Sequence, residues 1–255
     1  MRYDITEYSI KSGKVTEPFC IALLADIHDF LSDELLTDLK DRCPDFICIA
    51  GDLVNGYVRH RHYRHASYEK TLGFLDECSR VATIFLSIGN HERVTPPEQL
   101  HDIERTDITV LDDCYVDLAQ GIRIGGLSAA AHSYQSPEYL WLSKFQKADG
   151  YKILLSHRPK YFALQEPKLS DRPIDLVLSG HAHGGQIRIG SQGIYAPGQG
   201  FFPKYTSGIH KGSCGQMIIS RGLSNTTWIP RINNRPEIVY ISIVTHETRD
   251  SICFS

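Results

Sequence analysis

Short, mainly apolar runs recur along the chain: Ile21–Ala25 (IALLA), Phe46–Ala50 (FICIA), Thr83–Ile88 (TIFLSI), Tyr151–Ser156 (YKILLS) and Ile174–Ser179 (IDLVLS). Runs of this length and density suit strands buried on both faces, as in parallel sheets covered by helices. Helical spacing lies between them. Ser32 offers an N-cap to DELLTDLKDR, which Pro44 stops. Residues 67–80 carry Leu72, Phe74 and Leu75 at helical spacing, Pro96 and Pro97 suit the first turn of another helix, and Tyr139–Phe145 reads as a further one. Additional strands are expected at Ile108–Leu111, Tyr115–Leu118, Ile122–Leu127, Ile187–Ile189, Gln216–Ser220 and Ile238–Val244, with residues 190–214 forming a long glycine-rich loop region. No repeat or linker interrupts the pattern. It predicts one α/β domain over 1–255, with helices covering the sheets and some antiparallel pairing late in the chain.

Composition narrows the function classes. The 255 residues are 42% hydrophobic, enough for a sizeable core, and 27 basic against 30 acidic groups leave a net charge of −3. That balance excludes bulk attraction to nucleic acid through net charge. The seven cysteines are odd in number, scattered and free of any C-x-x-C, so neither a zinc ribbon nor a disulfide framework is expected, and Cys20 and Cys48 read as small buried hydrophobes. This usage suits a reducing compartment. The opening MRYDITEYSIKSGK has no apolar h-region, and the longest purely apolar run, Phe19–Ala25, is too short to span a bilayer. A soluble, cytoplasmic protein is the expectation. Twelve histidines stand out and invite a search for metal ligands.

They gather where the buried strands end. Asp26-Ile27-His28 follows IALLA, Gly51-Asp52 follows FICIA, and Gly89-Asn90-His91-Glu92 follows TIFLSI. His157 follows KILLS, and Gly180-His181-Ala182-His183 follows LVLS. In open α/β sheets the crevice outside the strand C-termini is where ligands bind. Residues two apart in an extended segment point to one side, so Asp26 with His28, and His181 with His183, can each act as a pair. Mixed oxygen and imidazole donors suit Mn, Fe, Zn or Ni, and without thiolates a Cys-rich structural zinc site is excluded. Any one of these motifs alone is compatible with a surface turn. The order and strand-end placement of all five carry the metal-site reading.

This run resembles the calcineurin-like metallophosphoesterase superfamily over residues 26–183. The following Gly184-Gly185-Gln186-Ile187-Arg188 and Ser220-Arg221-Gly222-Leu223 resemble a bacterial branch that includes cell-wall-associated phosphodiesterases and UDP-2,3-diacylglucosamine pyrophosphatases, extending the likeness to about residue 244. The resemblance implies a four-layered α/β sandwich of two mixed sheets flanked by helices, with a binuclear metal site at the strand C-terminal ends. It implies two divalent transition-metal ions, Mn favoured. Asp26, His28, Asp52 and His183 would hold one, and Asp52 would bridge to a second held also by Asn90, His157 and His181. A carboxylate can hold two cations about 3.5–4 Å apart, and such a pair depresses the pKa of a bridging water so that hydroxide is available near neutral pH. His91, next to a ligand, is placed to protonate the leaving oxygen or stabilise the transition state.

One departure bears on His91. The family often reads G-D-x-x-D, with the second Asp bonded to the motif histidine, whereas this chain has Gly51-Asp52-Leu53-Val54-Asn55. The Asn55 side chain is expected to accept from His91 and orient it without stabilising its charge. Beyond the motifs, the basic run Arg59–His65 reads either as a phosphate-gripping segment or as a solvated stretch, and Arg93, Arg188 and Arg221 either as phosphate clamps or as surface charges. Tyr195, Phe201, Phe202 and Tyr205 either line a groove or pin the long loop. The expected function is hydrolysis of a phosphomonoester, phosphodiester or pyrophosphate, a small-molecule or lipid-linked phosphodiester being favoured. A nuclease of the same superfamily and a non-catalytic scaffold are the competing readings. The first is weakened by the acidic balance, the second by the filling of all seven ligand positions.

Overall fold

The apolar runs become the inner strands of two six-stranded sheets. The computed structural model describes residues 3–29, 31–55, 68–129, 140–164, 168–224 and 229–246. Its first strands are β1 (Asp4–Lys11), β2 (Phe19–Leu24), β3 (Phe46–Ile49), β4 (Thr83–Ser87) and β5 (Thr109–Leu111). Next come β6 (Cys114–Asp117), β7 (Ile122–Leu127), β8 (Tyr151–Ser156) and β9 (Leu176–Ser179). Two short ribbons follow, β10 (Arg188–Ile189) with β11 (Gln192–Gly193), and β12 (Tyr195–Ala196) with β13 (Gly200–Phe201). The chain closes with β14 (Gly208–Lys211), β15 (Gln216–Ile219) and β16 (Glu237–Val244). The helices are α1 (Asp33–Arg42), α2 (Tyr68–Ser79), α3 (Pro97–Glu104) and α4 (Leu140–Lys147).

One sheet runs β1-β16-β2-β3-β4-β5 and the other β14-β15-β9-β8-β7-β6. Strands β2 to β5 are parallel, as are β7, β8, β9 and β15, so each sheet sends several strand C-termini to one end. Antiparallel pairing occurs at β16–β2, β14–β15 and β6–β7. Between the sheets lie Ile21, Leu23, Phe85, Ile153, Leu155, Leu178 and Ile241. Helices α1 to α3 cover the outer face of the first sheet through Leu35, Leu39, Leu75 and Ile103, and α4 covers the second through Leu142 and Phe145. The result is the expected four-layered α/β sandwich. Each buried Leu, Ile or Phe contributes roughly 1.5–3 kcal/mol, so the continuous apolar strands drive the stacking of layers.

Helix α1 shows the local logic. Ser32 accepts from Leu35 N (3.2 Å), two acidic residues occupy the first turn, two basic ones the last, and Cys43 closes the helix in the left-handed conformation before Pro44.

Three expectations are corrected. Strands β1 and β14 lie at the edges of the two sheets, in DITEYSIK and GIHK. An edge strand has only one neighbouring strand and stays half-exposed, so it carries no continuous apolar run. Residues 190–214 are not one loop but hold most of the ribbons and β14, built on turns too short to show a period. Cys43, Cys48, Cys78, Cys114 and Cys214 are free, whereas Cys20, though buried in the outer-face core as expected, is disulfide-bonded. Scattered spacing carries no sign of that bond, because disulfide partners meet through the fold.

Candidate metal centre

The loops after β2, β3, β4, β8 and β9 converge at the strand C-terminal ends, and the predicted residues meet there. Asp52 Oδ2 lies 3.1 Å from His157 Nε2, 3.8 Å from His28 Nε2 and 3.9 Å from His91 Nε2. Asp26 Oδ1 lies 3.6 Å from His183 Nε2 and 3.9 Å from His28 Nε2. His157 Nε2 is also 3.2 Å from Asn90 Oδ1 and 3.1 Å from His181 Nδ1. Ligand atoms fall into three sets, each within 4.8 Å: Asp26, His28 and His183; His28, Asp52 and His91; Asp52, His157 and His181.

The residues fit cations. Both ring nitrogens of His28 and Oδ1 of Asp26 are buried without a hydrogen-bond partner. Such a group costs about 1–3 kcal/mol, which a coordinated ion would offset. Burial drives the imidazoles of His28 and His181 well below their ordinary pKa and lowers that of His183, so all three present lone pairs. Burial also works against charge on His157, but the Asp52 carboxylate overrides it and pushes this histidine up to about 9. The same contact holds Asp52 well below the usual carboxylate range, against its own burial.

Backbone strain sets the aim of these side chains. Asp26, His28, Asp52, His181 and His183 have φ of 48°, 45°, 54°, 66° and 44°. This left-handed region costs a non-glycine residue about 1–3 kcal/mol and concentrates at functional sites. Of the expected pairs, Asp26 and His28 converge, through tight left-handed turns rather than the alternation of an extended segment, whereas His181 and His183 fall into different sets. Carboxylates then lock the loops together. Asp26 Oδ2 accepts from His181 N (2.8 Å), joining the two sheets, and Asp52 Oδ1 accepts from His91 N (2.8 Å). Carbonyl oxygens hold the rings: Ala50 O meets His157 Nδ1 (2.8 Å) and Ser224 O meets His183 Nδ1 (3.1 Å). With Nδ1–H donated to a carbonyl, Nε2 is free to face the cluster.

Asn55 reaches His91, but not as expected. The His91 Nδ1 contact is to the backbone O of Asn55, while the Asn55 amide donates to His28 O (3.0 Å). Asn55 N also donates to Asp29 Oδ2 (3.1 Å), so backbone N–H and side-chain amide both bind the loop after β2 and the carbonyl is what meets His91.

Sequence reasoning missed two supports. Glu92, fully buried, accepts from Asp52 N (2.8 Å), Gly89 N (2.8 Å) and Val54 N (3.2 Å), and burial followed by Asp52 raises its carboxyl to about 7. A side chain on Gly89 would strike Asp52 and Glu92, which is why the loop passes there as glycine. The only signal was its place in the Gly89-Asn90-His91-Glu92 motif. Arg231 Nη2 donates to Arg221 O (2.7 Å) and stands 3.4 Å from His183 Nδ1, and nothing in its local sequence marks it.

The arginines and aromatic residues outside the motifs take distinct places. Arg188 donates to Gly184 O (2.7 Å) and Ser191 O (2.6 Å), Arg221 pairs with Glu237 (2.7 Å) and Asp4 (3.2 Å), and Arg93 pairs with Asp112 (2.6 Å). All three brace the structure. Tyr205 is buried against Phe162 and pins the loop, whereas Phe201 and Phe202 are 75% and 70% exposed. Arg59–His65 lies outside the described residues.

The model of the calcineurin-like phosphoesterases matches residues 20–185, a stretch containing the whole cluster. The chain belongs to the calcineurin-like phosphoesterase family. It is a metal-dependent phosphoesterase. Phosphodiesterase YaeI of Escherichia coli (strain K12) is 28% identical over 244 residues, covering 89% of this chain and 83% of that protein. The uncharacterized metallophosphoesterase YkuE of Bacillus subtilis (strain 168) is 28% identical over 256 residues, covering 94% and 85%. The uncharacterized metallophosphoesterase Cj0846 of Campylobacter jejuni is 30% identical over 198 residues, 72% of this chain and 49% of its own length. Among solved structures, GAP50, the anchor in the inner membrane complex of Plasmodium, shares the fold at a TM-score of 0.54 and 12% identity, covering 89% of this chain and 81% of that one. Among the described residues no helix is long and apolar enough to cross a membrane.

Proposed function

We propose that this phosphoesterase hydrolyses a small-molecule or lipid-linked phosphodiester at a binuclear centre. The observation that carries the reading is Asp52 Oδ2, set 3.1–3.9 Å from the Nε2 atoms of three histidines on three loops. Asp26, His28, Asp52 and His183 would hold one divalent ion, and Asp52, Asn90, His157 and His181 the other. Two such ions lower the pKa of water toward neutrality and neutralise charge on the phosphoryl oxygens. Mixed oxygen and imidazole donors suit Mn, Fe, Zn or Ni, and Mn is the ion the family resemblance favours.

The remaining chemistry belongs to the chain. Asn90 supplies a neutral oxygen, limiting negative charge where an anion must enter. His91, half-buried with its ring against His28 (centroids 4.4 Å), has Nδ1 held by Asn55 O and Nε2 facing Asp52. A carbonyl acceptor at Nδ1 is compatible with a proton at Nε2, the proton given to the leaving oxygen. Glu92 fixes the Asp52 and Asn90 loops against each other, so substrate meets preorganised groups. The diester preference is supported by the likeness to YaeI, whose name describes a phosphodiesterase. One domain is supported by the inter-sheet core, which draws on Phe19 and Ile243 alike.

The test is elemental analysis and a substrate screen of Mn-loaded protein against mono- and diester chromogenic substrates, nucleotides and UDP-sugars. About two ions per chain and turnover of diesters are expected. A single tightly held zinc, or turnover of monoesters alone, would overturn the reading.

A further inference from the structure

The turn after β8 continues as His157-Arg158-Pro159-Lys160, placing two cations directly after a cluster residue. Neither cation has a part in holding the ions or moving the proton. Lys160 is half-buried and has no acidic partner among the described residues, and Arg158 Nε is buried without a hydrogen bond. Their charges are felt together, since burial first and then Arg158 lower the pKa of Lys160. Among the described residues neither cation has a carboxylate partner to compete with an anion, and Lys160 Nζ lies 5.5 Å from the centroid of the Tyr161 ring.

His181 points the same way. Its Nδ1 faces His157 Nε2 at 3.1 Å, inside the cluster. The two nitrogens of an imidazole lie on opposite sides of the ring, so Nε2 faces away from His157. That Nε2 lies 3.9 Å from the point where a Cβ on Gly198 would stand, and Lys160 Nζ lies 3.9 Å from the same point. Gly198 sits at the turn between β12 and β13, with φ of +71°, and adds no side chain to that space. Gln199, next to it, is turned away and bonded to the Tyr205 backbone through Nε2 (2.6 Å) and Oε1 (3.1 Å). The turn is braced with its opening kept clear.

We infer that Lys160 Nζ and His181 Nε2, backed by Arg158, form an anion subsite at the rim beside Gly198 that takes a negatively charged group on the non-reacting arm of the substrate. It rests on the phosphodiester reading and refines it: the favoured diester carries a second anion, phosphate or carboxylate, close to the scissile phosphorus. Lys160 is therefore a specificity-determining residue.

The test uses Mn-loaded full chain and a charge series of p-nitrophenyl phosphodiesters whose second arm is carboxyethyl, phenyl or choline. The wild type should prefer the carboxyethyl arm. In Lys160→Met the carboxyethyl-to-phenyl ratio of kcat/KM should fall about tenfold, the size of one charge-assisted contact, mostly through KM. Lys160→Arg should retain the preference, and Lys160→Glu should invert it toward choline. Calorimetric binding of phosphonoacetate and methylphosphonate gives a readout without turnover: Lys160→Met should weaken the first about tenfold more than the second. Metal content and melting temperature verify that each variant is folded. Equal binding losses for both phosphonates, or no loss, would overturn the subsite. If the wild type turns over no diester yet the phosphonates discriminate, the subsite stands and the diester reading falls.

Discussion

The two halves of the cluster solve the problem of buried polar groups in opposite ways. Around Asp52, His157 supplies a partner at 3.1 Å and His181 stands 3.1 Å from His157, so that half is satisfied by a charge pair. Around Asp26, the contacts to His28 and His183 are 3.6–3.9 Å and three buried polar atoms stay unpartnered. The first half is closed by its own electrostatics and the second is left open for a cation. An ion entering the Asp26 half satisfies idle lone pairs, whereas one entering the Asp52 half must displace a proton from His157.

The sharpest way to break this contrast is at the residue both halves share. Asp52→Asn removes the carboxylate facing His28, His91 and His157, and hydrolysis should fall by about 10³-fold or more, at least the upper end of what one electrostatic group is worth. Elemental analysis should show loss of metal, and full metal content with full activity would refute the shared role. Next in size is the pH dependence of loading. His157 is raised to about 9, so below that pH it holds a proton, and each unit of acidification should cost the Asp52-half ion about tenfold in affinity. His28 and His183, lowered by burial, hold no proton to displace near neutrality, so the other ion should bind with little pH dependence. Calorimetric titration at several pH values between about 6.5 and 8.5 resolves the two steps, and equal slopes would erase the contrast.

Glu92→Gln keeps one acceptor oxygen and sets an amide N–H either against Val54 N or against Asp52 N and Gly89 N. Metal affinity should drop about 10–100-fold, the usual consequence of losing an outer-shell partner. Stability should fall by about 1–3 kcal/mol, read as a lower melting temperature. The smallest effect belongs to Asn55→Ala. It removes only the amide bond to His28 O, about 1 kcal/mol, while the backbone carbonyl keeps its hold on His91. Activity on a diester with an alkyl leaving group should change only a few-fold and the alkaline limb of its pH–rate profile should stay put. A displaced limb would show that the amide, not the carbonyl, tunes His91.

Most of the site was legible before the fold was known, because coordination demands particular side chains and parallel strands demand apolar runs. Asp26, His28, Asp52, Asn90, His157, His181 and His183 were each marked by standing directly after such a run. Edge strands β1 and β14 escaped, being half-exposed and paired on one side only. Glu92 was visible only as a residue in a motif, since its value lies in three backbone N–H groups from two loops. Asn55 was placed beside the right partner but with the wrong atom, a distinction between carbonyl and amide that no sequence pattern encodes.

Amino-acid order therefore settles which donors end each buried strand, and with them the family. Tertiary structure decides the rest: which donors lie within reach of one another, that Arg188 and Arg221 brace loops, and that Lys160 and His181 face one gap beside Gly198. The reason is physical. Strand and ligand chemistry are written in residue type and spacing over a few positions, whereas charge pairing, burial and donor direction depend on atoms brought together from segments far apart in the chain.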